Sequence, residues 1–159
     1  FRGHLMNEKL QVIESLHASY YTVTRKEMKE YDFIKGDLEG LVNVPLTIKG
    51  HKLSISLRED TDIDNRILVS LRSVDDFPCN KMAEQFFNGG GHLNASGGKL
   101  LCSIEEAELI NDYKWHDQQG SQYSVIYLKN LMPFEDFQKS DAPFPLTYMH
   151  FPLYCKKQR

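Results

Sequence analysis

Apolar and polar positions change period several times along the chain, and each change marks an element. In LMNEKLQVIESL (Leu5 to Leu16) the apolar residues fall at 5, 6, 10, 12, 13 and 16, close to a helical stripe, which predicts an amphipathic opening helix. SYYTV (Ser19 to Val23) is β-branched and aromatic and predicts a strand. Thr24, Arg25, Lys26 and Glu27 follow at once in the form of a capping box, in which hydroxyl and carboxylate satisfy free amides at a helix start. A strand therefore feeds a short helix. KGDLEGLVNVPL (Lys35 to Leu46) is mostly apolar but broken by glycines and Pro45, and reads as a short helix or a loop.

Period two then takes over. KLSISLR (Lys52 to Arg58) alternates Leu53, Ile55 and Leu57 with polar residues, and RILVSLRS (Arg66 to Ser73) alternates Ile67, Val69 and Leu71. The polar connector EDTDIDN (Glu59 to Asn65) is short enough to join them as an antiparallel hairpin. Its Asp60, Asp62 and Asp64 invite comparison with a calcium loop, but Asn65 stands where that loop needs Gly and Leu71 where it needs Glu. A solvated acidic turn is the better reading. From Pro78 to Phe87 helical spacing returns in Met82, Ala83, Phe86 and Phe87, with Asp75 and Asp76 near the positive end of that helix.

Composition narrows the class. The chain has 159 residues, 41% hydrophobic and 26% charged, enough for one domain with a buried core. No apolar run approaches a membrane span of roughly 20 residues and the start carries no signal-peptide core, so no membrane partner and a cytoplasmic setting are expected. Cys79, Cys102 and Cys155 are odd in number and widely spaced, which suggests buried or inert thiols rather than a disulfide framework or zinc knuckle. A net charge of −3 argues against coating a long nucleic-acid backbone, while leaving room for a small phosphate ligand gripped at one point. A first residue of Phe rather than Met suggests a piece of a longer chain.

The candidate chemistry lies where the predicted helix runs into FFNGGGHLNASGG (Phe86 to Gly98). A sharp turn through Gly89, Gly90 and Gly91 would deliver His92, leaving main-chain amides open to an anion and adding an imidazole donor. Ala95, Ser96, Gly97 and Gly98 are small enough to pass beneath it. Composition leaves a second reading open, a glycine-rich helix stop with a histidine that bonds only the backbone. A P-loop is excluded because no GK[ST] follows, and a dinucleotide fingerprint because the glycine spacing is wrong.

GGGHLNASG resembles the signature GGGHxxAxG of the DHHA1 domain, the C-terminal substrate-binding half of DHH-superfamily phosphoesterases. LEGLVN (Leu38 to Asn43), VSLRS (Val69 to Ser73) and NKMAEQFF (Asn80 to Phe87) stand in that family's usual order. Within the superfamily the chain is most similar to the NrnA-like oligoribonuclease and pAp phosphatase group, including exopolyphosphatase-related proteins. The resemblance implies an α/β domain, a mixed β-sheet flanked by helices, over residues 1–110, with residues 111–159 an atypical C-terminal extension of unknown role. It implies that His92 and the amides of Gly90 and Gly91, with Gly89 in the same loop, hold a substrate phosphate. Arg72 would face them as a fork suited to phosphate or base, with Ser73 and Asn94 as further polar contacts. The alternative for Arg72 is an exposed strand-end cation paired with Asp75 or Asp76. The partners implied are a short RNA or nucleotide substrate and an N-terminal DHH domain, and a homodimer is left open.

Two departures qualify the resemblance. The family's hydrolysis resembles two-metal chemistry, with manganese held in the separate DHH domain. No DHH string occurs here, and the only histidine beside an aspartate, His116, has no carboxylate cluster near it. No metal and no hydrolysis are therefore expected of this chain alone, and a non-catalytic RNA-binding module is the rival reading. Beyond about Asn111 the family pattern lapses. SIEE (Ser103 to Glu106) starts a helix through a second capping box, QYSVIYL (Gln122 to Leu128) reads as a strand, and Pro143, Pro145 and Pro152 forbid a regular helix further on.

Overall fold

In chain order the protein forms α1 (Arg2–His4), which widens into a π-helical turn (Leu5–Lys9), then β1 (Gln11–Ile13), a 3-10 turn (Glu14–Leu16) and β2 (Ala18–Val23). There follow α2 (Arg25–Glu30), a 3-10 helix (Leu41–Thr47), β3 (Leu53–Glu59), β4 (Ile67–Ser73) and α3 (Cys79–Phe86). β5 (Gly90–His92), β6 (Ala95–Leu100), α4 (Ile104–Ala107), β7 (Leu109–His116) and β8 (Gln122–Leu128) complete it. This computed structural model describes residues 1–107 and the backbone of 109–116 and 122–128. The proline-rich stretch around Pro143, Pro145 and Pro152, and Cys155, lie outside the described residues.

β1 to β6 make one mixed sheet in the order β1-β2-β3-β4-β6-β5, while β7 and β8 pair antiparallel as a separate ribbon. β2 and β3 are parallel and every other pair in the large sheet is antiparallel. The hairpin expected from alternation is β3 against β4, Leu53 facing Ser73 and Glu59 facing Ile67. Its period-two pattern sorts the side chains. Leu53, Ile55, Leu57, Ile67, Val69 and Leu71 point to one face and join Phe77, Cys79, Met82, Ala83 and Phe87 beneath α3 in the main core. Each fully buried Leu or Ile there contributes about 1.5–3 kcal/mol through removal of apolar surface from water.

The opposite face is covered in part by a second cluster, in which Leu5, Met28 and Leu41 pack with Tyr21 and Val23 of β2. Charge pins this cover in place. The Thr24 box forms as expected, Thr24 accepting from the Glu27 amide at 3.1 Å and donating its own amide to Glu27 at 2.8 Å. Glu27 also meets Lys9 at 3.1 Å and His4 at 3.3 Å, tying the opening segment to α2. Burial pushes the Glu27 carboxyl upward, but the Thr24 amide and hydroxyl with Lys9 and His4 outweigh it and hold it at about 2.

Two expectations need correction. The opening helix stops at Lys9 instead of reaching Leu16, because Gln11–Ile13 pairs with β2 as an edge strand. Val12 is outward there and Ile13 buried, so the apolar spacing that mimicked a helix belongs to three short elements. The second correction concerns the glycines. Gly90–His92 is the edge strand β5 rather than a turn. Alternating amide directions along a strand replace the converging amides of the expected nest. The acidic connector behaves as a turn organised by Asp60, which accepts from the amides of Asp62 and Ile63 and pairs with Arg66. The second capping box also forms, Ser103 donating its amide to Glu106 at 2.9 Å at the start of α4.

Candidate functional site

The glycines close the hairpin that carries His92. A Cβ on Gly89 would lie 1.9 Å from the Gly97 carbonyl oxygen, and one on Gly98 would lie 2.2 Å from that of Phe87. The chain leaving α3 therefore presses directly on β6, backbone against backbone, and only glycine fits on either side. Gly89 donates its amide to the Ala83 carbonyl and so finishes α3. Gly90 and Gly91 continue into β5, the last strand of the sheet, one side of whose backbone faces no neighbouring strand among the described residues.

Strand register then assembles a row that no local sequence window contains. Ser19 of β2 stands opposite Ser54 of β3, Ser54 opposite Arg72 of β4, Arg72 opposite Ala95 of β6, and Ala95 opposite His92 of β5. Arg72 and His92 are thus two strand spacings apart, roughly 10 Å at the backbone. Only the methyl of Ala95 stands between them.

His92 is exposed, and its ring has no hydrogen-bond or ion-pair partner among the described residues. Arg72 is half-buried and donates from Nη1 to the Leu71 carbonyl at 2.8 Å and, more weakly, to that of Ser96 at 3.4 Å. It has no carboxylate partner among the described residues. Asp75, one of the two acids named as its alternative partner, pairs instead with Lys52.

Ser73 and Asn94 occupy different ground. Ser73 lies on the opposite, core-facing side at 6% exposure, its hydroxyl donating to the Phe77 carbonyl at 2.8 Å. Asn94 donates from Nδ2 to Ser73 Oγ at 2.9 Å and to the Asp75 carbonyl at 3.1 Å. In this conformation the two brace the β5–β6 turn against the loop leading to α3.

Sequence reasoning missed the hydroxyls of this face. Ser19, Ser54, Ser56 and Tyr21 are all buried on it, and Ser70 is half-buried in the row shared by Ser56 and Gly97. The signal was present as the polar half of KLSISLR, but alternation alone cannot tell a serine facing water from one facing a covering helix. Among the described residues Ser19 Oγ and Ser54 Oγ have no hydrogen-bond partner, an arrangement that costs about 1–3 kcal/mol for each hydroxyl. Burial raises the Tyr21 hydroxyl above its ordinary range, with a hydrogen bond to Ser56 and the charges of Arg2 and Arg72 pulling the other way.

Among the described residues no group of three or more His, Cys, Asp or Glu side chains could hold a metal ion, so manganese finds no ligand set there. No helix among them is long and apolar enough to cross a membrane.

This is an α/β domain whose strand register sets Arg72 and His92 on one face of the sheet, two strands apart. The crystal structure of an exopolyphosphatase-related protein from Bacteroides fragilis is similar to this chain at 47% identity, with a TM-score of 0.62 over 66% of the chain. The chain spans 30% of the B. fragilis protein's length. An uncharacterized protein from Helicobacter pylori G27 matches at 22% identity and a TM-score of 0.36 over 61% of this chain and 23% of its own, too distant to carry weight. No family model and no curated protein matches the chain.

Proposed function

We propose that the chain is the substrate-binding, DHHA1-type part of a DHH-family phosphoesterase acting on short oligoribonucleotides or nucleoside 3',5'-bisphosphates. Residues 1–110 form the substrate-binding domain in this reading and residues 111–159 an extension. The observation that carries it is the transverse row Arg72, Ala95, His92. Two unpaired cationic or proton-bearing groups flank a small residue at the end of the sheet, beside the outer edge of β5. Arg supplies a planar fork for two phosphate oxygens, His92 a single donor, and the free edge of β5 further amides. Gly89 acts by closing the hairpin, Ser73 and Asn94 by holding its turn.

Hydrolysis itself belongs to a separate N-terminal DHH domain that carries manganese, with which this part works in the cytoplasm. The similarity to an exopolyphosphatase-related protein supports a phosphoester or phosphoanhydride substrate. Titration of the chain with adenosine 3',5'-bisphosphate tests the site. Arg72→Ala and His92→Ala should each weaken binding at least about tenfold, the scale of one lost charge-assisted contact. Unchanged affinity in both variants rejects the assignment. Affinity that rises steeply with RNA length and falls with salt would favour the RNA-binding module instead.

A further inference from the structure

The end of the sheet where β2 and β3 begin is tied together around a histidine that takes no part in the Arg72 and His92 row. His51 stands two residues before β3 and is 6% exposed. Its ring donates to the Ala18 carbonyl at the start of β2, and because Nε2 is buried with no partner among the described residues, the donor is Nδ1. The ring sits there neutral, its second nitrogen enclosed and bare.

A proton added to Nε2 creates a buried N–H without an acceptor and a cation without a counter-charge, since no carboxylate pairs with the ring among the described residues. The charged groups around it give no relief. His17, on the turn before β2, lies against the same loop, where a Cβ added to Gly50 would stand 3.7 Å from His17 Nδ1, and its charge opposes a second one on His51. Lys49 and Lys52 flank the ring in sequence, Asp75 of the neighbouring loop is already paired with Lys52, and Glu14 on the 3-10 turn is exposed. Burial first, with His17 adding to it, outweighs the Ala18 carbonyl and keeps the imidazole below its ordinary 6.5.

Other contacts meet at this seat. The His17 carbonyl accepts from the amides of Lys52 at 2.7 Å and Leu53 at 3.3 Å, joining the starts of the parallel pair β2 and β3. Lys52 accepts from the Val74 amide at 3.2 Å and pairs with Asp75, whose carbonyl accepts from Asn94 of the β5–β6 turn. A continuous run of contacts thus leads from His51 to that turn. We propose that His51 is an acid-sensitive latch, which locks the entries of β2 and β3 together while neutral and, on taking a proton, leaves its seat and frees Lys52, Val74 and the β5–β6 turn. The latch goes beyond the phosphate reading and stands whatever the ligand is. Its sign follows from linkage. A released ring takes a proton as pH falls through 6.5 while the seated ring resists, so seating is complete above that value and is progressively lost below it. This window lies above that of the Glu27 carboxyl.

Amide hydrogen exchange read by NMR on the whole chain tests the latch, each rate being divided by its intrinsic value at that pH. Between about pH 7.5 and about pH 5.5, protection of the Lys52, Leu53 and Val74 amides should fall several-fold, with about tenfold as the ceiling for one excluded proton, while the Leu57 and Val69 amides hold. His51→Asn, whose Nδ2 replaces Nδ1 toward the Ala18 carbonyl and does not titrate, should remove that pH dependence. Protection that stays constant over this range overturns the latch. An equal fall in His51→Asn also overturns it, since another group is then the sensor. Where the variant does not fold, the unsubstituted chain decides: the His51 ring resonances should titrate with the same midpoint as the loss of protection, and a ring that takes up its proton with those amides still protected contradicts the proposal.

Discussion

The two faces of the central sheet are built from alternate residues of the same strands and have opposite chemistry. Beneath α3, Leu53, Ile55, Leu57, Val69 and Leu71 meet helix side chains and leave almost no surface to water. One residue away, Ser54, Ser56, Ser70 and Arg72 look the other way, two of them buried but hydroxyl-bearing. The apolar face carries the larger of the two hydrophobic clusters. The polar face holds two buried serine hydroxyls with no hydrogen-bond partner and an Arg72 guanidinium with no carboxylate partner among the described residues, and it is the face on which we propose that a ligand is recognised.

Substitutions should separate the faces. Leu71→Ala, on the apolar side, should lower unfolding free energy by about 2–5 kcal/mol, while Arg72→Ala next to it should change stability little and affinity much. Denaturant unfolding of the two variants checks this, and equal losses would erase the distinction.

Acid offers a smaller lever on the polar side alone. Glu27 pins the opening segment over that face, with its carboxyl held at about 2 against an ordinary 4.5. A depressed folded value means that this contribution is complete above pH 4.5 and is lost as pH falls toward 2. The loss should reach about 3 kcal/mol, and Glu27→Gln should flatten that part of the pH profile. An identical acid profile in the variant contradicts the pinning role.

Smallest is the effect of Ser54→Ala. Removing a buried hydroxyl without a partner should leave stability unchanged or raise it by about 1 kcal/mol, read as a higher denaturant midpoint. A clear loss would show that Ser54 is satisfied.

The same comparison explains what could be read from sequence. The apolar face was legible because its period of two in KLSISLR and RILVSLRS has one interpretation. Thr24 with Glu27 was legible because the box is local. The opening segment was not, since Leu10, Val12 and Ile13 fit a helical stripe as well as a turn and an edge strand, and pairing with β2 decided between them. For the site, His92 and Arg72 were picked out by the family-like motifs, yet their alignment depends on a register across three strands that local sequence does not encode. Ser73 shows the limit. It adjoins Arg72 in sequence, so its side chain falls on the other face, where it braces the loop.

The central claim is that Arg72 and His92 grip one and the same phosphate across Ala95. A double-mutant cycle with adenosine 3',5'-bisphosphate measures this directly, comparing Arg72→Ala, His92→Ala and the double variant by calorimetry. Shared contact with one anion predicts non-additive losses, a coupling of about 0.5–3 kcal/mol. Additive losses, or affinity in the double variant equal to that of the unsubstituted chain, would contradict it.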